Sequence, residues 1–199
     1  MSASRSSGCA AALPTTEPGR VRRPGARVHG FPAVIGADAR ILILGSMPGV
    51  ASLNAQQYYA HPRNHFWRIM GEICGAGPEL PYRERLQVLL HERLGLWDVL
   101  QSCVRGGSLD AAIEHHSATA NDLPALLRRS ASLRRLCCNG GTAYTTLRRH
   151  FGEPLAREFP RLEICRLPST SPANASWSYR RKLEAWSQAL RDRRASRVR

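Results

Sequence analysis

Four consecutive aliphatic residues, Ile41-Leu42-Ile43-Leu44, run straight into Gly45-Ser46-Met47-Pro48-Gly49. A strand that is apolar on both sides has no face to give to water, so it belongs inside a parallel sheet covered by helices on both faces. The run is also far too short to cross a bilayer. No apolar segment of the secretory type follows the start of the chain. A chain of 199 residues with 43% apolar composition has enough material for one core of ordinary size.

The rest of the chain repeats the alternation. Phe66, Ile69, Met70 and Ile73 fall at i, i+3, i+4 and i+7, which predicts a helix starting near Pro62 and stopping at Gly75. Pro81 opens a second helix with Leu86, Leu89, Leu90 and Leu94 on its apolar side, and Gly95 breaks it. Residues 96–100 form the second strand candidate, 133–138 the third and 162–167 the fourth. Asn121 has the position of an N-cap for a helix carrying Leu123, Leu126 and Leu127. Residues 142–151 read as helical with Gly152 as a stop, and a last helix carries Leu183, Trp186 and Leu190. Strand–helix alternation of this kind predicts a three-layer α/β/α domain around a mostly parallel four-stranded sheet. Ligands of such folds bind beyond the carboxyl ends of the strands. Those ends carry Gly45-Ser46-Met47-Pro48, Trp97-Asp98, Asn139-Gly140 and Ser169-Thr170-Ser171.

Charge indicates the partner. The formal net charge is +14, from 29 basic and 15 acidic residues, and Lys182 is the sole lysine. An arginine excess of this size suits a polyanion, nucleic acid first. Residues 1–29 and 191–199 read as basic tails flanking a folded domain over 30–190. The six cysteines show no C-x-x-C pair and no zinc-like His/Cys spacing. They read as reduced core thiols of a cytoplasmic, nucleoid-associated monomer with no metal and no cofactor.

Residues 42–67, LILGSMPGVASLNAQQYYAHPRNHFW, hold the most chemistry. Tyr58-Tyr59 and Phe66-Trp67 bracket His61-Pro62-Arg63-Asn64-His65. Aromatic rings beside a proline-fixed turn suit a planar base. Asn64 has a donor and an acceptor with which to hold water or read a base edge. The same position also suits a helix cap, and Phe66 also suits the apolar face of its helix.

The pairing of Gly45-Ser46-Met47-Pro48-Gly49 with His61-Pro62-Arg63-Asn64-His65-Phe66-Trp67 resembles the uracil-DNA glycosylase superfamily, and within it the hypoxanthine-DNA (deoxyinosine) glycosylase branch. The resemblance continues through Leu96-Trp97-Asp98-Val99, Gly107-Ser108-Leu109-Asp110, Asn121-Asp122, Cys138-Asn139-Gly140 and Leu167-Pro168-Ser169-Thr170-Ser171-Pro172-Ala173. It implies an enzyme that flips a deaminated base out of DNA and hydrolyses its N-glycosidic bond, leaving an abasic site. The superfamily usually orients its attacking water with an Asp or Asn just before the first-motif proline. Met47 stands there, which moves that role to Asn64. The resemblance further implies that Phe66 stacks on the base, with Ser46, Met47 and Tyr59 lining its pocket and Asp98 at the place of a base-reading Asn. Ser169 replaces the histidine of the second motif, and Ser171 holds a DNA phosphate. Arg63, Ala173 and Asn174 meet the DNA; Ala173 is too small to be a wedge, which leaves Asn174 or Trp177 for that task. Uracil or mismatch excision, or a catalytically inactive DNA-binding module, are the alternatives.

Overall fold

A computed structural model describes residues 26–107 and 110–191. The expected tails lie almost wholly outside the described residues, as do Cys9, Ser108 and Leu109. Four parallel strands form the central sheet: β2 (Ile41–Gly45), β3 (Leu94–Asp98), β6 (Arg135–Asn139) and β7 (Glu163–Leu167), in the order β3-β2-β6-β7. Alternation along β2 splits the core in two. Ile41 and Ile43 point to a layer with Phe66, Ile69, Met70, Leu89 and Trp186. Leu42 and Leu44 point to a layer with Leu123, Leu126, Leu127, Leu147 and Leu155. The first layer belongs to α2 (Phe66–Cys74), α3 (Tyr82–His91) and α6 (Tyr179–Leu190), the second to α4 (Leu123–Arg129) and α5 (Gly141–Glu158). The three-layer α/β/α architecture is therefore as the sequence indicates.

A second sheet was not legible in the sequence. β1 (Arg27–His29), β4 (Leu100–Arg105) and β5 (Ile113–Ala120) form an antiparallel sheet in the order β1-β4-β5. The expected strand at 96–100 is cut at Val99, whose amide donates to Gly45 O; the chain then leaves the parallel sheet and enters the antiparallel one. Strand β1 pairs with β4 through Arg27–Val104, Val28–Cys103 and His29–Ser102, so these three residues belong to the folded body although they fall within 1–29. Met47 joins the two sheets: it is buried against Leu100, Cys103 and Ile113. Met47→Ala is expected to lower stability by about 2–5 kcal/mol, the range for emptying a buried methionine site. A denaturant midpoint equal to wild type would contradict that packing role.

Several helix boundaries differ from expectation: α2 begins at Phe66 rather than near Pro62, and α3 ends at His91, because Leu94 and Gly95 pair with Ile41 and Leu42 as the start of β3. Helix α5 runs past Gly152 and Pro154 to Glu158. Leu155, 1% exposed, anchors its last turns in the core, so packing outweighs local propensity. The cap of α4 is Asp122, whose Oδ1 accepts from the Ala125 amide at 3.0 Å. Asn121 is thereby released for another task. A short helix, α1 (Val50–Ala55), lies between the first strand of the parallel sheet and the tyrosine pair. No helix among the described residues is long and apolar enough to cross a membrane.

Candidate active site

The carboxyl ends of the four parallel strands open into one cleft of about 1180 Å³. Its floor is the end of β2. Gly45 must be glycine here, because a Cβ would stand 2.3 Å from Asp98 Oδ1. Asp98 closes β3 and is 4% exposed. Its backbone oxygen accepts from Asn121 Nδ2 at 2.8 Å, which is the task that frees Asn121 from capping. Its Oδ2 is buried without a hydrogen-bond partner. Burial first and the neighbouring Asp110 second push the Asp98 carboxyl up to about 7, against the lowering effect of Arg105. Ser46 donates to Asp110 Oδ1 at 2.7 Å, so the first-motif hydroxyl holds this second acid in place. The Arg105 guanidinium, itself buried, donates to Pro48 O and so ties β4 to the first turn.

The aromatic wall differs from the expected one. Phe66 is fully buried and does not line the cleft. Tyr59 lines it, stacked on Phe66 with centroids 3.9 Å apart and planes 24° apart. Tyr59 holds this place with a left-handed backbone, φ 56°, which costs a bulky residue roughly 1–3 kcal/mol and marks a constrained site. Its hydroxyl oxygen is buried beside Asn139 and lacks a well-formed hydrogen bond among the described residues, and burial holds it far above the ordinary tyrosine range, so it is a neutral donor.

Asn64 also lines the cleft, at the entry to α2. Its Oδ1 accepts from the Phe66 amide at 3.0 Å, an Asx turn that satisfies the first amide of α2 one residue ahead of the N-cap His65. Its amide donates to His61 O at 2.8 Å, and the next amide, His65, donates to Thr170 O at 3.0 Å. These bonds lock the motif against the loop after β7. The Arg63 side chain is exposed at the cleft edge, and its amide donates to His61 Nδ1.

The opposite wall is the serine loop. Asn139, at the end of β6, clasps Thr170 twice: Nδ2 donates to Thr170 Oγ1 and Oδ1 accepts from the Thr170 amide, both at 2.9 Å. Gly140, φ 100°, lets this strand end approach the loop; a Cβ there would stand 2.9 Å from Ser169 Cβ. Ser169 Oγ accepts from the Ser171 amide, and Ser171 Oγ accepts from the Ala173 amide, each at 3.2 Å. Asn174 donates to Ser169 O at 3.0 Å, and its own carbonyl receives Lys182 Nζ at 2.8 Å. The lone lysine is therefore a buried strut, 1% exposed, and its burial lowers its pKa.

Thus Ser46, Met47, Tyr59, Arg63, Asn64, Asp98, Ser169, Ser171, Ala173 and Asn174 come together around one cleft, and Phe66 stands behind it. Asp110 had no role in the sequence reading, Asn121 was expected only as a helix cap, and Asn139 only as part of a strand end, yet all three shape the cleft. Each lies in a segment that carried the resemblance, which was the available signal.

The architecture invites comparison with known proteins. Residues 32–192 match the model of the uracil DNA glycosylase superfamily. The chain belongs to that superfamily. A protein of Methanosarcina acetivorans named hypoxanthine DNA glycosylase is 39% identical over 164 residues, 82% of this chain and 98% of its own length. One of the same name from Methanosarcina barkeri is 39% identical over 113 residues, 56% of this chain and 70% of its own. The solution structure of a candidate uracil DNA glycosylase from M. acetivorans superimposes with a TM-score of 0.68 at 38% identity, covering 83% of this chain and 98% of that one. This member of the superfamily is a DNA glycosylase, a hydrolase of N-glycosyl bonds.

Proposed function

We propose that the chain excises hypoxanthine from DNA by hydrolysis and leaves an abasic site. The observation that carries this reading is the match to nearly the whole length of a relative named for that base, together with a cleft at the strand ends lined by Tyr59 and Asn64. Extruding a mispaired or damaged base costs less than extruding a paired one, which favours a deaminated base from the start. Tyr59, backed by Phe66, offers the flat face for the base, above Ser46 and Met47. Asn64 places the water that attacks C1′ of the sugar. Positive charge grows on the sugar as the bond breaks, and negative charge on the base; neither needs a covalent nucleophile. Ser169 keeps its proton and donates a hydrogen bond to the departing base, which takes up the proton that the attacking water loses, while Ser171, Arg63, Ala173 and Asn174 meet the flanking DNA. Beside the cleft, a depression of about 520 Å³ with Arg63, Arg68 and Trp177 on its walls suits the backbone of the same strand. The protein acts as a monomer on this reading.

Incubation with duplexes bearing one hypoxanthine, uracil, xanthine or undamaged adenine, followed by alkaline cleavage, tests the assignment. Cleavage fastest at hypoxanthine is expected, and none at adenine. Cleavage at uracil alone would replace the reading by a uracil enzyme. The chemistry uses hydroxyls, amides and a carboxyl, so excision is expected to survive excess EDTA. Loss restored by added zinc would contradict the metal-free mechanism.

A further inference from the structure

Among the described residues, two buried polar atoms on the cleft floor lack a well-formed hydrogen bond: Asp98 Oδ2, and the Tyr59 hydroxyl, which has Asn139 as its nearest polar neighbour. Both groups crowd over Gly45 at the end of β2. A Cβ built there would meet Asp98 Oδ1 at 2.3 Å and the Tyr59 hydroxyl at 3.4 Å. A buried polar atom left without a partner costs about 1–3 kcal/mol, so such atoms mark a place where a ligand completes the set. The strand, the Asn121 bond to its backbone and the absence of a side chain at position 45 all hold Asp98 at that place. Resting on the proposed excision, we infer that Asp98 acts as a neutral carboxylic acid, donating its proton in a hydrogen bond to the carbonyl oxygen of the departing deaminated base.

The electrostatic surroundings favour the neutral form. Asp110, on the segment before β5, faces Asp98 with a like charge. Tyr58 and Tyr59, on the loop before α2, face it with low-polarity rings and neutral hydroxyls. Arg105, on β4, opposes them, yet burial and Asp110 outweigh it and leave the carboxyl protonated below about pH 7. A neutral acid offers its O–H where negative charge collects as the glycosidic bond breaks. An ionised one would repel that charge. The proton stays on Asp98 and strengthens one hydrogen bond; no bond to the protein forms. The role fills the vacancy left in the second motif by Ser169, a weaker donor than an acid.

The carboxyl is neutral, and the donor present, below about pH 7. Above it the donor is lost. The single-turnover rate on hypoxanthine-containing duplex, at saturating protein, is expected to be level at low pH and to fall about tenfold per unit above the break. Asp98→Asn keeps a neutral donor that cannot ionise, so it is expected to lose the break while keeping at least a tenth of the low-pH rate. Asp98→Val is expected to lose about 10²-fold at pH 6, with a melting temperature at or above wild type because a buried acid has been removed. A wild-type rate that rises with pH, a break that persists in Asp98→Asn (and so belongs to the substrate's own N–H), or a fully active Asp98→Val would each overturn the inference while leaving hypoxanthine excision standing. Absence of excision by wild type at every pH would overturn both.

Discussion

Gly45→Ala is expected to abolish measurable excision, a loss of 10²-fold or more, while the protein still folds. The added methyl would enter 2.3 Å from Asp98 Oδ1, far inside the closest non-bonded approach of a Cβ. Asp98 cannot back away as a whole, because Asn121 and the β2–β3 pairing fix its backbone. Its carboxyl must rotate out of the space in which the base is meant to sit, or the two strands must part. Overpacking of this kind costs about 1–3 kcal/mol of stability. Single-turnover rates beside thermal melts check both effects. A Gly45→Ala protein with wild-type rate would show that the floor of the cleft takes no part in the reaction.

Asn64→Ala is expected to lower the single-turnover rate by about 10²-fold, the usual effect of removing one preorganised polar group. The structure adds a second consequence. Asn64 Oδ1 also accepts from the Phe66 amide, so its loss is expected to cost ~1 kcal/mol of stability as well. The two effects separate by comparison with Met47→Ala, which removes packing at the position where relatives carry the water-orienting residue. Met47→Ala is expected to lose more stability than Asn64→Ala and far less rate. A destabilised but fully active Asn64→Ala protein would make Asn64 a cap and nothing more.

What the sequence disclosed and what it concealed follow from the range of the interactions. The parallel strands were legible because they are buried on both faces, as at Ile41–Gly45, where every residue is buried. The antiparallel sheet was not, because Ile113–Ala120 carries few large apolar residues and gains its place through backbone pairing with β4. Helix α5 outran its local stop signals because Leu155 is held by the far core. In the site, the turn after β2 and the helix entry at Asn64 were legible as motifs. That Tyr59 rather than Phe66 faces the cleft was not, since spacing along the chain does not say which ring covers the other. The Asn121–Asp98 bond joins residues 23 positions apart, and only the fold shows it.

The proposed excision releases an intact base by hydrolysis, without a bond to the protein. Lys182, the lone lysine, is buried and held by Asn174 O. The direct measurement is mass spectrometry of both products from a hypoxanthine-containing duplex under single turnover, with a parallel sample treated with borohydride. Free hypoxanthine, one per strand, and an uncut strand in which a hydroxyl replaces the base are expected, with no protein trapped on DNA. A strand unchanged in mass though bound by protein, or a borohydride-trapped adduct, would contradict the account.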